Sequence, residues 1–338
     1  MTCAVFDLSV PIVGAPMAGG PTTPALVGAV CAAGGLGFLP GGYRSAEELA
    51  TDIAAVRLLT DRFGVNLFVP GAGDLDLTAF RAYARALQPE AEAYHLRLDD
   101  EPVRDDDGWA DKLAMLVHDP VPVVSFTFGL PDAGDVAALR RAGSLVLATV
   151  TTPAEASAAH ERGVDALVVQ GASAGGHSGT HDPHRLPALL PTHVLVRQVR
   201  AQVDLPVIAA GGVDGPGSVR ELLEAGAEAV AVGTLLLLAD EAGTSVAHRA
   251  ALTDPSFTAT AITRAFTGRP ARALRNGFMD RHDAMAPAAY PAVHHLTRAL
   301  RRAASEAGDL DRVHLWAGTG FRQAVPEPAA DTVRRLAG

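Results

Sequence analysis

Residues 145–179 read LVLATVTTPAEASAAHERGVDALVVQGASAGGHSG. Leu145–Val150 is a short, β-rich apolar run. Thr152-Pro153-Ala154-Glu155 follows, offering an N-cap, a proline suited to the first helical position and an early acid. The Ala- and Glu-rich stretch Pro153–Arg162 reads as a helix, and Gly163 is its stop. Ala166–Gln170 is a second apolar run. Continuous apolar strands joined by a helix suit a parallel sheet buried on both faces.

The same unit recurs on either side. Apolar runs lie at 11–15, 36–39, 64–69, 121–126, 145–150, 166–170, 206–210 and 229–232. Helical stretches lie at 24–33, 46–59, 133–142, 153–162, 189–202 and 217–225. Thr23-Pro24 repeats the cap-then-proline start, and Gly143 and Gly226 repeat the glycine stop. Eight strands alternating with helices predict an α/β fold, a (β/α)8 TIM barrel. Two regions depart from the pattern. One holds the acidic runs Asp99-Asp100-Glu101 and Asp105-Asp106-Asp107, which read as a solvated loop rather than a metal site. The other, after the eighth strand, is rich in Ala, Arg and Pro. The expected division is residues 1–70 and 121–252 as the barrel. Residues 71–120 and 253–338 are expected to form a second, mostly helical lobe over the catalytic face.

Bulk properties narrow the function. The 338 residues are 48% hydrophobic, enough for a large core. A net charge of −10 argues against nucleic acid or an anionic membrane as partner. Residues 8–43 lack charge but contain five prolines and nine glycines, so they read as strands around a helix rather than a membrane span. Only Cys3 and Cys31 occur, which points to a reducing, cytoplasmic setting. Lys112 is the only lysine and lies in a polar helical segment, which disfavours Schiff-base chemistry. A homodimer is an assembly the residues allow but do not require.

The chemistry-bearing residues fall at the expected strand ends. Ala210-Gly211-Gly212 ends the seventh strand and Ala231-Val232-Gly233-Thr234 the eighth. Backbone amides at those two positions suit a phosphate monoester. Asn66 and Gln170 place amides where they can meet a heterocyclic ring edge. Met17, in Ala15-Pro16-Met17-Ala18-Gly19-Gly20, sits among small residues that let a ring approach. Ser125-Phe126-Thr127-Phe128 offers an aromatic wall for a small substrate. Gly175-Gly176-His177 sets one imidazole in a glycine loop, where it can exchange a proton near neutral pH. His181, Asp182 and His184 raise a metal alternative, but the neighbouring glycines and Pro183 prevent the helix their spacing would need, so no metal is expected.

These residues, in this order, resemble the nitronate monooxygenase family, formerly called 2-nitropropane dioxygenases. The resemblance covers nearly the whole chain and extends to Thr267-Gly268-Arg269-Pro270-Ala271-Arg272, Asn276 and Tyr290-Pro291. It implies an FMN-binding barrel. Met17, Asn66, Gln170, Gly175, Gly211, Gly212 and the turn Ala231, Val232, Gly233 and Thr234 would hold FMN, and His177 would be the catalytic base. Ser125, Phe126 and Tyr290 would face the substrate. The family often has Gln where Ala231 stands. The implied reaction oxidises an alkyl nitronate, such as propionate 3-nitronate, with O2 to a carbonyl compound and nitrite. The chain is also similar to flavin-dependent enoyl reductases and NAD(P)H:quinone reductases of the same superfamily.

Overall fold

Each βα unit closes as its punctuation dictates. In the computed structural model, which describes residues 8–71 and 75–338, Thr23 and Thr152 accept hydrogen bonds from Leu26 and Glu155 N–H at their helix starts. Gly143 and Gly163 end helices in the left-handed region, at φ 104° and 83°. Cys3 lies outside the described residues.

The strands are β1 (Ile12–Gly14), β2 (Leu36–Pro40), β3 (Gly64–Phe68), β4 (Val123–Thr127), β5 (Leu145–Val150), β6 (Ala166–Gln170), β7 (Gly176–His177), β8 (Val207–Ala210), β9 (Ala229–Val232), β10 (Thr260–Thr263) and β11 (Ala271–Leu274). Eight of them form a closed barrel in the order β1-β2-β3-β4-β5-β6-β8-β9, all pairs parallel. The ring shuts where β1 pairs with β9, Val13 opposite Ala231. This is the (β/α)8 barrel expected from the sequence.

Strand alternation sorts side chains into two apolar layers. Val13, Phe38, Val123, Leu147 and Ile208 fill the barrel interior. Val65, Val124, Phe126, Val146 and Val169 point outward and pack under the helices. Two helices from the extra regions join that outer layer. Leu113 and Leu116 of Trp109–His118, and Val333 and Leu336 of Ala329–Ala337, pack in the same cluster as the barrel helices. Both segments fall within the stretches assigned to the lobe from sequence. Their amphipathic faces find the gaps left in the helical ring.

The remaining extra segments pack on one another. Phe80, Tyr83 and Leu87 of the helix Leu77–Glu92 meet Phe266, Phe278, Leu296 and Leu300. Tyr83 Oη donates to the Ala265 carbonyl at 2.7 Å. Glu90 receives Arg281, His282 and Arg312 at 2.7, 2.8 and 2.5 Å, tying three segments together. The lobe also contains strand. β10 pairs antiparallel with β11, and β11 pairs with β7, His177 opposite Ala271. The lobe thus grips the barrel's glycine loop by main-chain hydrogen bonds. No helix among the described residues is long and apolar enough to cross a membrane.

Candidate active site

The barrel's strand ends and the inner face of the lobe enclose a cavity of about 1190 Å³. Ordinary small-molecule pockets span roughly 300–1,000 Å³, so this one has room for a large ligand beside a small one.

One wall is built from turns that only small residues can make. Gly211 and Gly212 have φ of 106° and 83°. A Cβ on Gly211 would lie 2.7 Å from Ala174 N, so this turn needs glycine for both conformation and space. Gly233 and Thr234 follow β9, and Thr234 opens a short 3-10 turn, Thr234–Leu236. Thr234 Oγ1 accepts from Gly318 N at 2.9 Å. Gly318 packs so closely on the loop after β6 that a Cβ there would lie 2.7 Å from Ser173 O. Three chain segments therefore bring glycine backbone to one place, a concavity suited to an anion.

The floor is polar. Asn66 Nδ2 donates to Ser125 Oγ and Thr127 Oγ1, both at 2.9 Å. Thr127 Oγ1 lies 3.2 Å from Thr149 Oγ1. The ladder crosses β3, β4 and β5 and pins the Asn66 amide at the cavity edge. Gln170 lines the cavity too, but its amide is engaged at both ends. Nε2 donates to the His177 carbonyl at 3.1 Å, and Oε1 accepts from Gly179 N at 2.6 Å. Gln170 thereby holds the His177 loop.

His177 faces the cavity from that loop. Its Nε2 lies 2.9 Å from Thr267 Oγ1. The Thr267 hydroxyl donates to the Arg269 carbonyl at 3.4 Å. The tautomer consistent with both contacts carries its proton on Nε2 and leaves Nδ1 as an acceptor. Phe128, Tyr290 and Trp316 surround the ring, with centroids 5.8, 5.8 and 5.2 Å away. Burial, together with the Arg269 and Arg301 guanidiniums, holds the imidazole pKa down to about 3. His177 is therefore neutral at neutral pH. The same two cations favour any anion that forms beside it.

The family model for nitronate monooxygenase matches residues 4–337. The chain belongs to the nitronate monooxygenase family. It is 40% identical to a nitronate monooxygenase of Pseudomonas aeruginosa, over 98% of this chain and 96% of the relative. It is 35% identical to a probable nitronate monooxygenase of Staphylococcus aureus strain Newman, over 96% and 92%. Among solved structures, a nitroalkane oxidase from Streptomyces ansochromogenes is 50% identical with a TM-score of 0.93, covering 99% of this chain and 96% of that one. FabK from Thermotoga maritima is 26% identical with a TM-score of 0.74, over 99% and 94%. The chain is accordingly that of an oxidoreductase family.

In this nitronate monooxygenase family member, most of the residues singled out from sequence line one cavity. Met17, Asn66, Ser125, Gln170, Gly175 and His177 do so, as do Gly211, Gly212, Ala231, Val232, Gly233 and Thr234. Ala231 also belongs to the barrel-interior cluster, and Val232 to the outer one. Phe126 is a correction. It is fully buried and packs against Trp109, with ring centroids 5.7 Å apart, in the outer layer. Ser125 and Phe126 are adjacent on β4, so they cannot both point inward. Phe128, just past the strand, supplies the aromatic wall, with φ of 80° and the Arg269 guanidinium 3.9 Å over its ring. Tyr290 acts from behind, edge-on to His177 and Phe128, with its hydroxyl donating to Tyr43 Oη at 3.3 Å.

His181 Nε2 lies 3.0 Å from the Thr149 carbonyl, and His184 is exposed. Among the described residues no cluster of three or more acidic, histidine or cysteine side chains could hold a metal ion. Lys112 is fully buried, paired with Asp107 at 2.8 Å and donating to the Gly41 carbonyl at 2.9 Å. Sequence reasoning missed the C-terminal contribution: Trp316, Gly318 and Gly320 line the cavity beside His294, Arg301 and His314. Trp316-Ala317-Gly318-Thr319-Gly320 was the available signal, a small-residue run after a tryptophan.

Proposed function

We propose that the protein is an FMN-dependent enzyme that oxidises alkyl nitronates, such as propionate 3-nitronate, with O2 to a carbonyl compound and nitrite. The observation that carries this reading is His177, a neutral imidazole fixed beside two guanidiniums in a cavity large enough for a tricyclic ring and a substrate. Whole-chain similarity to nitronate monooxygenases and to a nitroalkane oxidase supports the same class.

The residues fit FMN. Gly211, Gly212, Gly233 and Thr234, with Gly318 behind them, would receive its phosphate on backbone amides. Asn66 and Met17 would meet the ring system at the strand ends. Bound FMN would supply one-electron chemistry between nitronate and O2. The protein's own part is positioning and proton transfer. Nδ1 of His177 can take the α-proton of a neutral nitroalkane, because that nitrogen has no protein partner among the described residues. The new positive charge on the imidazole is costly so near Arg269 and Arg301, but the nitronate formed with it offsets that cost. Phe128, Tyr290 and Trp316 crowd the imidazole and would limit the water that reaches it.

The test is optical. Purified protein should show a flavin spectrum that bleaches anaerobically on adding propionate 3-nitronate and recovers with O2, releasing nitrite. A colourless protein that takes up no FMN would overturn the proposal. Bleaching by NADPH but not by nitronates would favour a reductase.

A further inference from the structure

The turn after β2, Gly41-Gly42-Tyr43, sets an aromatic side chain where glycine would be easier. Tyr43 has φ of 65°, in the left-handed region that bulky residues seldom adopt. Four non-glycine residues among those described take such a conformation, and three of them, Tyr43, Asp107 and Phe128, line the one cavity. The turn is stapled on both sides by the chain's only lysine and its partner. Lys112 Nζ donates to the Gly41 carbonyl at 2.9 Å and pairs with Asp107 Oδ2 at 2.8 Å. The other Asp107 oxygen accepts from Tyr43 N at 2.8 Å. Lys112 is 1% exposed, and a buried ion pair adds little net stability because desolvation offsets the attraction. What this pair does is fix a strained backbone, reaching from the segment between β3 and β4 to the end of β2.

The ring so held connects to the imidazole by two routes. Tyr43 stacks face to face on His294, centroids 4.3 Å apart, and its hydroxyl accepts from Tyr290, whose ring is edge-on to His177. On its other side Tyr43 is edge-on to Phe68 at 5.5 Å, Phe68 packs on Phe128 at 4.5 Å, and Phe128 is edge-on to His177. A Cβ on Gly42 would lie 2.2 Å from Phe68, so the turn is pressed onto that wall and has little room to shift. The next residues along the chain, Arg44 and Ser45, line the cavity too and are exposed. The Tyr43 ring thus stands between the imidazole and the cavity's open end.

We propose that Tyr43 is a specificity-determining residue that limits the length of the carbon chain a substrate can carry, and that Asp107 and Lys112 are the positioning residues that hold it there. With the nitro-bearing carbon at His177, the rest of an aliphatic substrate runs into the Tyr43 ring, so short chains are preferred. This rests on the nitronate reading for turnover, but the limit on chain length does not depend on it.

Two ratios on the flavin-loaded protein test it: kcat/KM for hexyl over ethyl nitronate, and anaerobic calorimetric affinity for 1-nitrohexane over nitroethane. The wild type should favour the short member of each pair, and equal use of both nitronates overturns the proposal without any variant. Tyr43→Ala should raise each ratio by about tenfold or more, the scale on which a pocket discriminates aliphatic length. Tyr43→Phe, which keeps the ring, should leave both within about threefold. Lys112→Met should move the ratios in the direction of Tyr43→Ala, and adding it to Tyr43→Ala should move them no further, as for residues that act through one another. Should Lys112→Met fail to fold, Asp107→Asn gives the same test, since one amide oxygen cannot serve both Tyr43 N and Lys112. Ratios unmoved by Tyr43→Ala overturn the role of the ring. A shift from Tyr43→Ala with none from Lys112→Met or Asp107→Asn overturns the role of the ion pair. Affinity for 1-nitrohexane gained by Tyr43→Ala, with no turnover of either nitronate, would keep the chain-length limit and remove the nitronate reading.

Discussion

His177, the base proposed for this site, shows how little of a residue's chemistry lies in the residue itself. A free imidazole titrates near 6.5, whereas burial beside Arg269 and Arg301 pushes this one to about 3. It therefore waits as a neutral acceptor, oriented by Thr267 and by the Gln170 clamp on its own carbonyl. His177→Ala should lower kcat/KM on a neutral nitroalkane by roughly 10²–10⁴-fold, the usual worth of a general base. Preformed nitronate, which needs no deprotonation, should lose far less. Parallel assays with nitroethane and ethyl nitronate decide it, and equal losses would contradict the base role.

At the scale of elements, the loop from β6 to residue 181 has to be held without being a regular structure. Glu155, at the start of the helix Pro153–Arg162, does much of this. Its buried carboxylate accepts from Thr151 N at 2.6 Å and Thr151 Oγ1 at 2.8 Å. It also accepts from Thr180 Oγ1 at 3.2 Å and His181 N at 3.0 Å. Arg269 donates to the Thr180 carbonyl from the lobe side. Glu155→Ala strands two buried backbone donors, at a cost of about 3 kcal/mol. We expect a lower urea midpoint together with lower turnover, because the same contacts place His177. An unfolding free energy within about 0.5 kcal/mol of wild type, the usual range for a neutral surface change, would show that the loop is held by β7 and β11 alone.

Across the whole molecule, the large cavity has an acid-stability consequence. Burial is the first cause that depresses His177 to about 3, His248 to about 4 and His294 to about 2. It also pushes His314 well below its ordinary value. Unfolded, all four titrate near 6.5 and bind more protons than the native state below that pH, so stability falls as pH drops through 6.5 toward 4. Glu90 acts in the same direction at lower pH. Burial raises its pKa, but hydrogen bonds from Arg281, His282 and Arg312 outweigh that and hold it at about 2. Its contribution is present above about 4.5 and is lost as pH falls through about 2. Melting temperature measured from pH 8 to 4 should be nearly flat above 7 and fall below 6.5. His248→Leu should make the slope shallower, since His248 Nε2 is buried without a partner among the described residues and its replacement removes one proton taken up on unfolding. A rising melting temperature toward acid would rule this account out.

The amino-acid sequence by itself determined the barrel. Strand and helix periods, threonine caps with prolines behind them and glycine stops are local signals, and eight of them in register leave one closed parallel solution. It also placed the glycine turns after β8 and β9 and the His177 loop at the cavity, because glycine and histidine are distinctive at strand ends. Tertiary structure alone decided which neighbours face inward. Ser125 and Phe126 look equally available in a string, yet pleating sends one to the cavity and the other to Trp109. It alone brought Arg301, His294 and Trp316 over the barrel mouth, since these lie more than a hundred residues from His177 and join it only through long-range packing. It alone showed the strand pairing of β7 with β11, since a two-residue strand has no periodicity to read and exists only because its partner is there.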